Sequence, residues 1–119
     1  MDRRAVGRSA EAAAAQALAA RGYAVVARNV RSRTGEIDLV CRDGATFVFC
    51  EVKARRPSGF GVAAEALTAV KRRRLARLAE AYLARVGRRG ATFRLELAAV
   101  DLEGERPARV SVLPIGADD

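Results

Sequence analysis

A chain of 119 residues with a net charge of +8 has the length of one domain and leaves no room for a second core. Half of the residues are hydrophobic, enough for one core and against intrinsic disorder, while the lack of histidine excludes Ser-His-Asp triads, Cys-His pairs, HExxH zinc sites and imidazole acid–base chemistry together. Two cysteines are too few for the usual zinc sites or a disulfide framework, so a reducing cytoplasm is expected and catalysis falls to carboxylates, lysine, hydroxyls or a hard metal.

The alanine-rich opening predicts a helix over residues 3–21, stopped by Gly22 in a C-cap position. Arg8, Glu11 and Gln16 interrupt any run that would suit a signal peptide, and no run of about 18 apolar residues exists to cross a membrane. Residues 23–29 read as a strand, followed by a polar basic loop over 31–35 and a second strand over 36–42. Asp43-Gly44 turns the chain back as a third strand over 47–53, making a hairpin. A Gly/Pro loop over 57–61 precedes a long helix over 63–86. Its apolar stripe is Leu67, Leu75, Leu78, Tyr82 and Val86, with Lys71 inserted at helical spacing. Strands over 92–102 and 109–113 complete an αβββαββ order. That order predicts an α/β fold, a mixed central sheet flanked by helices in one domain over 1–115, with a frayed tail over 116–119.

Charge is concentrated. Residues 71–94 hold nine basic side chains against one acid, Glu80, which accounts for the whole net charge. Such a block attracts a polyanion, nucleic acid first, unless it is only a solvated arginine face. It lacks the bulky exposed apolar partners that an anionic membrane surface would need.

The residues that suit chemistry lie in Gly35-Glu36-Ile37-Asp38 and Glu51-Val52-Lys53. Strand alternation puts Glu51 and Lys53 on one face and Val52 on the other. A two-residue Gly44-Ala45 loop of type II′ sets Asp38 opposite Glu51. An Asp43-Gly44 loop leaves them diagonal on one face, and only an odd slip through a bulge would part them. Two close carboxylates repel unless a cation sits between them, and oxygen-only ligation favours Mg²⁺ or Mn²⁺. The other face then carries Ile37, Leu39, Cys41, Val48, Cys50 and Val52, a core set in which both cysteines are structural. The plain alternative is a solvated strand face with cross-strand salt bridges. Against it, Glu11 shares the Ala14, Ala15, Leu18 side of the first helix, where an unpaired carboxylate is costly to bury. Lys53 and Lys71 are also the only lysines among 22 basic residues, as if these places need a compact ammonium.

These residues resemble the small bacterial YraN-like family, related to Holliday-junction resolvases within the PD-(D/E)xK nuclease superfamily. The resemblance runs from the helix with Glu11 through Arg28-Asn29, the Gly35–Val40 and Phe49–Arg55 segments and Phe60-Gly61. It continues through Lys71 and Ala79–Leu83 to Arg94-Leu95-Glu96 and so covers most of the chain apart from its C-terminal end. Glu96 stands where the family usually has Asp, and Cys50 where valine is usual. The resemblance implies a restriction-endonuclease-like core in which Asp38 and Glu51 ligate Mg²⁺ or Mn²⁺ with the Val52 carbonyl. Lys53 would orient a water or stabilise developing charge. Glu11 would hold the metal or its water, unless it pairs with Arg4 or Arg8 at the helix end. Lys71, with Arg72 and Arg74, would contact phosphates. Arg55 and Arg56 beside Phe60 would form a mobile clamp. Glu36, which shares the Asp38 face, would either support the metal ligands as a further carboxylate or, the preferred reading, form a salt bridge to Arg55. The expected function is a metal-dependent endonuclease on structured or branched DNA, with a non-catalytic nucleic-acid-binding module or a docking protein for an acidic partner as alternatives. The two-fold symmetry of DNA junctions argues for a homodimer.

Overall fold

The computed structural model describes residues 2–56 and 69–116. Asp2 starts helix α1 (Arg3–Ala20) by accepting from the Arg4 N–H at 2.9 Å. Gly22, at φ +96°, ends it in a Schellman motif: its N–H bonds the Ala19 carbonyl at 2.9 Å and the Tyr23 N–H bonds that of Leu18 at 3.1 Å. Five strands follow, β1 (Ala24–Ser32), β2 (Gly35–Asp43), β3 (Thr46–Arg55), β4 (Phe93–Glu103) and β5 (Arg106–Ile115), with helix α2 (Ala69–Arg85) between β3 and β4. The sheet order is β1-β2-β3-β4-β5. Only β3 and β4 run parallel, because α2 carries the chain back between them. The expected αβββαββ order and restriction-endonuclease-like mixed sheet between helices are what forms.

Each helix covers one sheet face. On α1 the small side chains of Ala10, Ala14 and Ala15 with Leu18 let the helix lie close on Leu39, Cys41, Val48, Cys50 and Val100. On α2, Leu75, Leu78, Ala79 and Leu83 pack over Ile37, Val40, Phe47 and Phe49, and Phe49 meets Tyr82 and Phe93 edge-on. Both cysteines are buried and free; burial pushes the Cys41 thiol up to about 11 and the Cys50 thiol higher still, so neither ionises. Among the described residues no helix is long and apolar enough to cross a membrane.

Several boundaries differ from expectation. β1 continues to Ser32, and the loop expected over 31–35 contracts to an Arg33-Thr34 turn closed by the Ser32↔Gly35 pair. β3 extends to Arg55 because β4 pairs with it over its whole length. β5 starts at Arg106 rather than 109. The expected start of the second helix at residue 63, its stripe residue Leu67 and the loop with Phe60 lie outside the described residues. In the β2–β3 hairpin the loop is Gly44-Ala45, with Asp43↔Thr46 as the closing pair. Gly44 takes φ +62° and Ala45 does not, as a type II′ turn requires.

One placement is corrected. Ile37 does not share a face with Leu39 and Cys41; it packs under α2 with Val40, three residues on. β1 has the same break, since Ala27 and Val30 both face α2. Strict alternation forbids residues three apart from sharing a face, so both strands turn over between these positions. Asn29, at φ +50°, is where β1 does so, and its neighbour in register on β2 is Asp38.

Both outer strands are irregular. β1 also bulges at Val26, and β5 carries Pro107 and Pro114.

Candidate metal centre

β2 and β3 pair only from Leu39↔Cys50 to Asp43↔Thr46. Before Leu39, β2 stays with β1; beyond Cys50, β3 stays with β4. The sheet therefore forks at Asp38 and Glu51, the two positions that register would set opposite each other. Asp38 fills the fork by accepting the Val52 N–H at 2.8 Å, in the place a β2 carbonyl would hold in a regular ladder.

Two elements deliver three carboxylates there. Glu11 rides at the margin of the buried α1 stripe, Glu36 and Asp38 come from β2, and one oxygen of each lies within 4.8 Å of the others. Burial, then the neighbouring charges of Glu51, Glu11 and Glu36, push the Asp38 carboxyl from 3.8 up to about 7 against the Val52 hydrogen bond. Burial also raises Glu51, while Lys71, Lys53 and Arg74 pull it back. Glu51 opens on the α2 side into a cleft of about 120 Å³ walled by Gly35, Glu36, Lys71, Arg74, Leu75 and Leu78. Anionic oxygens thus sit inside a basic rim.

The donor set suits a hard divalent cation. Its atoms are all carboxylate oxygens, and both thiols lie apart in the α1-side core. Octahedral Mg²⁺ with ligands at about 2.1 Å needs oxygens about 3–4 Å apart, so the cluster has only to tighten slightly. A metal would also offset the burial and the carboxylate repulsion that together hold a proton on Asp38 up to about pH 7.

A model described as "Uncharacterised protein family UPF0102" matches residues 10–101, from the α1 core residue Ala10 to β4. The chain belongs to this family. A UPF0102 protein of Symbiobacterium thermophilum is 52% identical over 101 residues, 85% of each chain. One from Frankia alni is 45% identical over 109 residues, 92% of this chain and 91% of its own. One from Caldicellulosiruptor saccharolyticus is 38% identical over 100 residues, 84% of this chain and 85% of its own. UPF0102 is the YraN family to which the sequence motifs point.

In this UPF0102 chain the residues singled out from sequence fall into two groups. Glu11, Asp38, Glu51 and Val52 surround the fork, Lys53 lies exposed on β3 two residues from Glu51, and Lys71 and Arg74 wall the cleft. Among the described residues Glu11 makes no ion pair with Arg4 or Arg8. Arg72 turns the other way, with Arg73, into a groove lined by Phe93, Leu95 and Ile115. Arg55 is tied to Asp101 at 2.6 Å and holds that carboxyl below its usual range, with Arg109 assisting at 3.5 Å; Arg56 donates to the Gly104 carbonyl at 2.6 Å. The expected Glu36–Arg55 bridge does not form, because Asp101 on β4 is the nearer acid to Arg55 and Arg31 pairs with Glu36 at 3.2 Å.

Glu36 takes the less favoured of its two expected places, in the carboxylate cluster, and the contact that escaped the sequence is that of Asn29 with it. The usable signal was Asn29 itself, since asparagine tolerates the left-handed conformation that interrupts a strand. Glu96 serves elsewhere. It is buried at the hairpin-turn end of the sheet, accepting from Tyr23 Oη and from Arg94, which also reaches Asp43.

Proposed function

We propose that the chain is a metal-dependent endonuclease that hydrolyses phosphodiester bonds in structured or branched DNA. The observation that carries this reading is the fork of the sheet, where Glu11, Glu36 and Asp38 bring oxygens within 4.8 Å of one another beside Glu51, under Lys71 and Arg74. Asp38 and Glu51, with Glu11 and the Val52 backbone, would hold Mg²⁺ or Mn²⁺. A bound cation supplies Lewis acidity and a water of lowered pKa. Lys53, on the Glu51 face, orients that water or stabilises charge growing on the phosphoryl oxygens. Lys71 and Arg74 seat the phosphate against the carboxylates. The water oxygen bonds to phosphorus, the ester P–O bond breaks, and the leaving oxygen takes up a proton.

The basic block on and after α2 supports backbone recognition of DNA, and the lack of Trp argues against base stacking on single strands. Two buried free thiols suit a reducing cytoplasm. A homodimer would set two such forks on a two-fold junction.

The test is cleavage of labelled four-way junction, flap, duplex and single-stranded DNA in Mg²⁺ or Mn²⁺, with wild type and Glu51→Ala side by side. Cuts near the branch that vanish in the variant, with salt-sensitive binding retained, are expected. Tight salt-dependent binding without any cut would replace this reading with a non-catalytic binding module, and equal cutting by both proteins would move the activity away from the fork.

A further inference from the structure

Asn29 combines two features that a β-strand residue rarely shows. Its backbone stands at φ +50°, the only non-glycine in the left-handed region among the described residues. The pairs Arg28↔Leu39 and Val30↔Ile37 both form, and the rung between them, Asn29 with Asp38, is skipped. A side chain with a Cβ adopts this conformation at a cost, and such strain persists only where the surroundings impose it.

The second feature is what the side chain does there. Its carboxamide is oriented with nitrogen toward the carboxylates, the only orientation in which both polar atoms meet complementary partners. The amide then donates to Glu11 at 3.2 Å (Oε1) and 3.3 Å (Oε2) and to Glu36 Oε2 at 3.2 Å. One neutral group thus spans carboxylates from α1 and from β2, which have no other side-chain link to each other among the described residues.

We infer that Asn29 is a positioning residue of the cation site: its amide holds Glu11 and Glu36 at ligating distance from Asp38, and its left-handed backbone breaks the β1–β2 alternation beside Asp38. This rests on the metal reading above. The chemistry explains the residue type. Glycine takes the same backbone freely but has no donor, and aspartate tolerates it but adds another negative charge. Serine, threonine and glutamine can donate but are poorly suited to the left-handed conformation. Asparagine meets both needs.

The experiment uses calorimetric titration of Mn²⁺ into the full chain, for wild type, Asn29→Gly and Asn29→Asp, with thermal unfolding of each in EDTA and in saturating Mn²⁺. No nuclease assay enters. Asn29→Gly keeps the backbone and removes the amide, so it is expected to stay folded and to bind Mn²⁺ on the order of tenfold more weakly, as loss of a ligand-orienting partner does. Asn29→Asp keeps backbone and size but turns the donor into an acid. It is expected to melt below Asn29→Gly in EDTA and to regain more of its midpoint than Asn29→Gly when Mn²⁺ is added. If Asn29→Gly is folded and binds Mn²⁺ as tightly as wild type, Asn29 is merely structural and the inference falls. The same holds if Asn29→Asp and Asn29→Gly melt alike with and without Mn²⁺. If wild type itself takes up no Mn²⁺ at millimolar concentration, the metal reading fails first and takes this one with it.

Discussion

Replacing Asp38 by asparagine should make the metal-free protein more stable, and increasingly so as pH rises. In the folded chain the Asp38 carboxyl is pushed from 3.8 to about 7, chiefly by burial and then by Glu51, Glu11 and Glu36. The folded state therefore holds this proton more tightly than the unfolded chain. The stability linked to it is present in full below about pH 4 and lost as pH climbs to about 7. At about 1.4 kcal/mol per pH unit, that gap sets a ceiling near ~4 kcal/mol. Asp38 is only half-buried, and its Val52 hydrogen bond weakens when an amide replaces the carboxylate, so ~2 kcal/mol is the working figure. Asparagine still accepts the Val52 N–H and can donate toward Glu11 or Glu36. Urea unfolding in EDTA at pH 5 and pH 8 reads the part of the effect that falls between those values: the advantage of Asp38→Asn over wild type should be larger at pH 8 by ~1 kcal/mol, with an unchanged m-value. Carboxylates common to both proteins cancel in the difference. Saturating Mg²⁺ should reverse the order at pH 8, because wild type alone keeps the full ligand set. An advantage equal at both pH values, or larger at pH 5, would refute the assignment of the raised pKa to Asp38.

Removing Glu96 tests the buried network at the other end of the sheet. Glu96→Ala strands Tyr23 Oη and part of Arg94, at a cost of ~3 kcal/mol, whereas Glu96→Gln keeps an acceptor and should lose about half of that. Thermal midpoints would show it, and equal losses in the two variants would mean that the charge matters and the hydrogen bonds do not. Gly35→Ala should lower the urea midpoint by the equivalent of ~1–2 kcal/mol. Gly35 holds φ +154°, and an added Cβ would lie 3.3 Å from Leu78 Cδ1, which can yield, so the backbone cost dominates. An unchanged midpoint would show that the β1–β2 turn relaxes freely.

The element order was legible because its signals are local, and the hairpin register was legible only to within two loops, Gly44-Ala45 or Asp43-Gly44, both of which keep Asp38 and Glu51 on one face. Gly22 stops α1, the alternation of Phe47 to Lys53 marks a strand, and the Gly44-Ala45 turn that forms fixes every pair up to Leu39↔Cys50. The placement of Ile37 was not legible, because a period-two reading assumes an unbroken strand and the break is made by one dihedral angle at Asn29, eight residues away in sequence. Beside the same break Glu36 joins Glu11 and Asp38, the less favoured of the two places its sequence position allowed, the other being a bridge to Arg55. Pairing of Arg55 with Asp101 depended on the parallel register of β3 and β4, which follows from a crossover rather than from any neighbouring residue. The Tyr23–Glu96 contact joins residues 73 apart in sequence and leaves no pattern in either segment.

The irregular outer strands decide how this sheet can meet another chain. β5 lacks backbone N–H groups at Pro107 and Pro114 and exposes Arg106 and Arg109, while β1 kinks at Val26 and again at Asn29. Neither border offers the straight row of donors and acceptors on which a foreign strand could be templated. Growth into a continuous intermolecular sheet, whether as an ordered pair or as a fibrillar stack, is thereby blocked at both ends. Any self-association would have to proceed through helix faces and loops, leaving the forked centre of the sheet open from the edge.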